Sequence, residues 1–502
     1  MEQNSKLHKG TPPQSRVPMT PTLERLLRPD LFRKEPIFTR TLQPPKDGEK
    51  VHALSSQEVQ AIRNLRGQVV DLHPGMGGIE PGRLTEMIDQ GITLTSLDYM
   101  LTRGCNFECT WCYAGSGPGK KDFLPFNNLQ RITQEAAGLG VKLFILTGGE
   151  PLLYKDPILD GSPKLGEHFF KVVSMIKNTY AGGGIDPKIL TFDDVALITS
   201  EIARQFARYK VGLCTKGDTL NPELQDFKVN QVGAFKRMRQ GYQCLIDAGY
   251  GKNPDIRLVV NSVLDHTTFD GMVDLHYWVM ERGFDHSIVP VHYCGNAEHE
   301  DQEAGIHSPH VHALYSLLSR IDKREFDTVW TPWSAFTYNK TCNRNRSGLH
   351  IRASGDITAC SESPGIEATD RYTFGNVFSS GFSLTELVRS SKLAAYRKEF
   401  AEGYGTYVCA PSLCDLSAED LCRGGCATRS AYSRVDFNTG LIVANSNPLN
   451  YSQHREDPLC PAWTELALQQ GVLREGLLKE IHTRILERSE RISERDYPFE
   501  AK

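Results

Sequence analysis

Residues 101–115 read LTRGCNFECTWCYAG, and they place Cys105, Cys109 and Cys112 in a CxxxCxxC spacing directly after a mostly apolar run at 97–101. An apolar run that stops at a polar loop reads as a strand and the turn that leaves it. Three thiolates this close can hold three corners of a cubane iron–sulfur cluster, leaving the fourth iron without a protein ligand. Zinc is the competing reading. It needs a fourth ligand, and no cysteine or histidine lies near enough in the sequence to supply one at the usual spacing.

Outward from this loop, residues 97–297 alternate strand and helix patterns, which predicts βα units around a parallel sheet. Strands are expected at 97–101, 142–146, 195–198, 211–214, 256–260 and 288–291, with helices at 128–139, 167–180, 232–248 and 269–282 between them. Six βα units are too few for a closed eight-fold barrel. The fold class expected is therefore α/β, a partial (β/α)6 barrel with ligands at the carboxyl ends of its strands. The second strand ends in Thr147-Gly148-Gly149-Glu150-Pro151. Adjacent glycines let backbone approach a ligand closely, and the carboxylate beside them can accept from an ammonium group.

In this order, with Gly148 lying 36 residues after Cys112, the two motifs resemble the radical S-adenosylmethionine enzymes. The resemblance implies a 4Fe–4S cluster on Cys105, Cys109 and Cys112, with S-adenosylmethionine chelating its open iron. Gly148, Gly149 and Glu150 would then hold the methionine ammonium, and Trp111 would set the adenine through backbone contacts. The sequence VGLCTKGDTLNPELQD at 211–226 is similar to the mid-barrel of that superfamily. Strand ends near Thr199, Lys216, Asn261 and Gly295 would face the nucleoside or the substrate, or be ordinary polar caps.

Seven more of the thirteen cysteines fall at Cys342, Cys360, Cys409, Cys414, Cys422, Cys426 and Cys460. Their grouping is similar to the SPASM extension of the same superfamily, which implies one or two auxiliary 4Fe–4S clusters. Two spacings depart from the family pattern: four residues separate Cys409 from Cys414, and seven separate Cys414 from Cys422. By resemblance, Cys342, Cys360 and Cys426 would hold one cluster, and Cys409, Cys414, Cys422 and Cys460 the other. Two fully ligated cubanes need about eight thiolates, so the first cluster is either open or takes another group such as His350 or Cys294. Zinc sites are the competing reading. Cys214 and Cys244 read as small buried apolar residues, and His299, His307, His310 and His312 as a loose group in a connector.

The organisation expected is a partly helical N-terminal extension at 1–95, the barrel at 96–297, a connector at 298–341, an auxiliary-cluster domain at 342–462 and a charged helical tail at 463–502. Within the extension, helices are expected at 55–66 and 83–90 from a capping box and glycine stops. A net charge of -4 argues against nucleic acid held by a general basic surface, and no apolar run is long enough to suggest a membrane span. Thirteen cysteines without a signal-like start point to metal chemistry in a cytoplasmic, oxygen-sensitive enzyme. Partners implied are S-adenosylmethionine, an electron donor such as flavodoxin or ferredoxin, and a substrate. The leading substrate is a ribosomal peptide or protein side chain to be oxidised, crosslinked or epimerised. A small molecule such as an aminosugar, nucleoside or antibiotic precursor is the alternative, and a non-catalytic electron carrier a further one. Glu362, close to Cys360, is the candidate acid/base, or else a surface carboxylate.

Overall fold

A computed structural model describes residues 16–27, 37–46, 50–51, 56, 94–159, 163–299, 306, 308–327, 347–361, 372–402, 412–418, 433–440, 442–444, 460 and 462–491. The helix expected at 83–90 and, Ser56 apart, the one at 55–66, together with His307, Cys342, Glu362, Cys409, Cys422 and Cys426, lie outside the described residues.

After a short helix α1 (Pro21–Leu27), strands and helices alternate as β1 (Ser96–Met100), α2 (Phe126–Gly138), β2 (Leu143–Thr147), α3 (Glu167–Ala181), β3 (Lys188–Asp193), α4 (Ser200–Arg208), β4 (Val211–Lys216), α5 (Pro222–Lys228), α6 (Ala234–Asp247), β5 (Leu258–Leu264), α7 (Met272–Met280), β6 (Asp285–Pro290) and α8 (Ser308–Ile321). Strands β1 to β6 pair in parallel with their sequence neighbours, which makes the partial (β/α)6 barrel. Side chains alternate across such strands. Leu97, Tyr99, Phe144, Leu146 and Leu213 join the large core under the helices, while Leu143, Ile145, Leu190, Cys214 and Val259 form a separate cluster inside the barrel. Cys214 thus packs as the small apolar residue expected of it. Among the described residues, no helix is long and apolar enough to cross a membrane.

One strand is misplaced by the sequence pattern. The apolar run 195–198 is a loop, and β3 is KILTFD at Lys188–Asp193. Val195 takes φ 69°, which a β-branched residue adopts only under tertiary constraint. That constraint is visible in α6: a Cβ on Gly241 would sit 2.0 Å from the Val195 carbonyl oxygen. Thr199, expected at a strand end, caps α4 instead, its side chain accepting from the Ile202 N–H.

Beyond α8 the sheet continues. β7 (Gly348–Ile351) lies parallel to β1, and β8 (Asp356–Thr358) and β9 (Thr373–Asn376) follow antiparallel. The N-terminal residues 37–51 are stitched to the C-terminal third by backbone N–H donation. Ile37 donates to Thr439 O at 2.7 Å, Thr39 to Val472 O at 2.7 Å, Leu42 to Phe437 O at 2.6 Å and Val51 to Leu413 O at 2.7 Å. The last bond lies beside Cys414, which is buried. Toward the C-terminus lie α9 (Ala462–Gln469) and α10 (Leu477–Arg491).

Replacing a helical glycine with alanine ordinarily stabilises by up to about 1 kcal/mol. At Gly241 the close approach of Val195 reverses the sign. G241A is expected to destabilise by about 1–3 kcal/mol, as overpacking does, read as a lowered Tm in thermal unfolding.

Candidate active site

The cysteine loop leaves β1 at the carboxyl end of the sheet and is gripped from three sides. From β2, the Gly149 N–H donates to Thr102 O at 2.7 Å and the Glu150 N–H to Gly104 O at 2.8 Å. From α5, Val229 O accepts from the Glu108 N–H at 3.2 Å and Lys228 O from the Thr110 N–H at 3.1 Å. After β6, the Asn296 N–H donates to Cys112 O at 3.0 Å and its Nδ2 to Cys109 O at 2.8 Å. Lys228 is itself anchored by a buried ion pair with Asp265. Burial alone would raise Asp265, but the ammonium beside it holds the carboxyl well below the usual range.

These contacts account for the glycines. A Cβ on Gly149 would lie 2.3 Å from Gly104 O, one on Gly148 2.7 Å from Thr102 O, and one on Gly295 2.4 Å from Cys112 O. The close approach that the glycines permit is therefore to the cysteine loop of the same chain. Gly295 also needs its φ of 60°. Cys105 and Cys109 are buried and Cys112 is half-buried. The Cys105 Sγ accepts from the Phe107 N–H at 3.4 Å. Burial pushes the Cys109 thiol up to about 12, Lys216 opposing the rise, and burial together with Asp194 pushes Cys105 higher still.

Beside the loop, Glu150, Asp193 and Asp194 bring carboxylate oxygens within 4.8 Å of one another. Glu150 ties β2 to β3: its Oε1 accepts from the Leu152 N–H at 2.9 Å and its Oε2 from the Asp194 N–H at 3.0 Å. Burial, then repulsion by Asp193 and Asp194, drives Glu150 well above the carboxylate range. Burial, then repulsion by Asp194, lifts Asp193 to about 8, and burial lifts Asp194 to about 6. The sequence reading missed Asp193 and Asp194 because it began the third strand at 195, directly after them. The alternation in KILTFD was the signal that would have found them.

At the end of β4, Lys216 Nζ lies 2.9 Å from the centroid of the Trp111 ring and 3.3 Å from Asp218 Oδ2. Trp111 Nε1 is buried without a hydrogen-bond partner among the described residues. Asn261 sits inside β5, its carbonyl accepting from the Gly217 N–H at 3.3 Å. Of the distal cysteines, Cys360 follows β8, Cys414 precedes the helix Asp415–Ala418, and Cys460 precedes α9, where its carbonyl accepts from Ser308 Oγ at 3.2 Å. His310 is buried on α8, its ring edge-on to Phe269.

The donor set fits a cationic cluster and an ammonium. Raised thiols and raised carboxylates in one water-poor place share one electrostatic deficit, and positive charge supplied there relieves both.

Residues 99–270 match the family described as the Radical SAM superfamily. The chain is similar to the GTP 3',8-cyclase of Paracoccus denitrificans, 27% identical over 215 residues that cover 42% of this chain and 56% of that protein. It is 28% identical to the one from Rhizobium etli over 257 residues, 49% of this chain and 62% of that protein. The chain thus spans less than two thirds of the length of these curated relatives. The fold is shared with anSMEcpe bound to AdoMet, at TM-score 0.55 and 14% identity over 78% of this chain and 98% of that one. It is shared also with Streptococcus suis SuiB bound to S-adenosylmethionine, at TM-score 0.51 and 15% identity over 81% and 83%.

A pH dependence follows from the carboxylates. Asp193 moves from 3.8 to about 8 on folding, so the folded metal-free protein holds a proton that the unfolded chain releases. Its stability therefore falls as pH rises through that window. Thermal unfolding of the metal-free protein should show Tm declining toward pH 8, and D193N should flatten the decline.

Proposed function

We propose, from the premise that residues 99–270 are a radical SAM domain, that this chain cleaves S-adenosylmethionine reductively and abstracts hydrogen from a peptide or protein side chain. The observation that carries the first part is the interlock of Gly149 and Glu150 with the loop bearing Cys105, Cys109 and Cys112. It ties the loop that bears the three thiols to the strand end that bears the Glu150 carboxylate, which supports reading them as one site. When bound, the 4Fe–4S cluster and S-adenosylmethionine supply the 5'-deoxyadenosyl radical.

The protein's own residues orient and shield. Glu150, with Asp193 and Asp194 behind it, offers negative charge to the methionine ammonium. Trp111, pinned by Lys216, supplies an aromatic wall and backbone beside the third thiol. Asn296 holds the carbonyls of Cys109 and Cys112, and the Val229 carbonyl holds the Glu108 N–H, which keeps the thiols converged. The inner cluster of Leu143, Ile145, Leu190, Cys214 and Val259 forms a dry floor, which limits quenching of a radical by water.

The peptide part rests on fold likeness. Among solved structures of this fold, SuiB has been seen bound to the precursor peptide SuiA, at TM-score 0.50, and anSMEcpe bound to AdoMet and the Kp18Cys peptide, at TM-score 0.53. A second reading, a nucleotide substrate, is favoured by the GTP 3',8-cyclase names of the sequence relatives. Cys342, Cys360, Cys409, Cys414, Cys422, Cys426 and Cys460 are read as ligands of one or two auxiliary clusters in either case.

Anaerobically reconstituted protein given dithionite and S-adenosylmethionine should release 5'-deoxyadenosine, and Cys112→Ala should abolish the release while leaving the far-UV CD unchanged. Absence of 5'-deoxyadenosine from the unaltered protein would sink the enzyme reading. For the substrate, a defined peptide library should raise 5'-deoxyadenosine several-fold above the substrate-free rate and GTP should not. The reverse pattern would establish the nucleotide reading.

A further inference from the structure

A second buried polar arrangement lies inside the barrel, away from the cysteine loop. Strands β1 and β7 are parallel neighbours whose register sets Asp98 beside His350. Both face inward. Their flanking residues Leu97, Tyr99, Leu349 and Ile351 belong to the outer core, and Ile145, opposite Asp98 in β2, belongs to the inner one. Asp98 Oδ1 accepts from Thr147 Oγ1 at 3.1 Å, and Asp98 Oδ2 lies 3.2 Å from His350 Nδ1. The carboxylate thus faces Nδ1 without an aligned hydrogen bond, and Nε2 is the ring nitrogen left for another partner.

His350 is 1% exposed, and neither of its ring nitrogens has a hydrogen-bond partner among the described residues. A buried acceptor left unmatched costs about 1–3 kcal/mol, so a resident partner is expected. The strand on that other side of β7 is β8, where Thr358 is the cross-strand partner of His350. Thr358 Oγ1 donates to Cys360 O at 2.9 Å, and Cys360 is itself buried. A metal-bound histidine commonly gives its second ring N–H to a carboxylate, which orients the ring and raises its basicity. Asp98, with Oδ2 3.2 Å from Nδ1, stands where such a carboxylate would.

We propose that His350 Nε2 is an iron ligand of the auxiliary cluster held in part by Cys360, oriented by Asp98. The assignment rests on the auxiliary-cluster reading above and deepens it. It supplies an eighth group where two fully ligated cubanes need about eight and the region offers seven cysteines. A neutral imidazole in place of a thiolate makes the cluster less negative, which raises its reduction potential, as histidine ligation does in other iron–sulfur centres.

The test uses the full chain with Cys105, Cys109 and Cys112 changed to alanine, so that any cluster signal comes from the distal region. After anaerobic reconstitution with iron and sulfide, the reduced protein should show a histidine nitrogen hyperfine coupling in pulsed EPR that changes on 15N-histidine labelling. H350C in the same background should keep the cluster, lose the coupling and lower the reduction potential. D98N should lose iron to a chelator roughly tenfold faster or more. Far-UV CD checks that each variant is folded. A reduced cluster without nitrogen coupling, or a coupling that survives H350C, overturns the ligand assignment. Failure of the triple variant to bind any iron overturns the auxiliary-cluster reading, and the ligand with it.

Discussion

Everything at the mouth of this barrel depends on the contact between two backbones: Gly148-Gly149-Glu150 at the end of β2 and Thr102-Arg103-Gly104 after β1. The two hydrogen bonds there contribute only about 0.5–1.5 kcal/mol each in net terms. Steric exclusion is the stronger constraint, because a side chain at Gly149 would place its first carbon 2.3 Å from the Gly104 carbonyl oxygen. The strand end and the cysteine loop can therefore close on one another only if that position is glycine. Gly295 repeats the device from β6 against Cys112. Two strand ends on opposite sides of the barrel thus press on one short loop, and the three thiols inherit their positions from both.

The same closeness gathers charge that the apo fold does not welcome. Glu150, Asp193 and Asp194 lie buried together, next to thiols whose ionisation burial opposes. Such a site favours its protonated form when empty of cations and its charged form when filled. Folding, metal loading and ammonium binding are coupled through one local balance. The buried Lys228–Asp265 pair sits outside that balance and serves the backbone: it anchors the end of α5, whose carbonyls hold the loop.

The barrel and the distal region are joined through the sheet as well as through the connector. β7 extends the sheet from β1, so that the residues inside it, Asp98 and His350, belong to both. Residues 37–51 bind the far side of the distal region to the chain's beginning. An electron or a substrate shared between the two regions would cross a continuous hydrogen-bonded wall.

The spacing of Cys105, Cys109 and Cys112, the GGE strand end and the βα alternation were legible along the chain, because each is a local pattern. Cysteine spacing limits reach, glycine pairs mark close backbone, and apolar periodicity marks strand or helix. Five of the six strands fell within a few residues of their expected places. The third did not: the run at 195–198 has strand composition, yet packing of Val195 against Gly241 makes it a loop. What touches what across the sheet was not legible. That the glycines face the cysteine loop, that Asp193 and Asp194 converge on Glu150 from a neighbouring strand, and that His350 lies beside Asp98 were decided by strand order and register. These join residues 43 to 252 positions apart, a separation over which no local periodicity carries information.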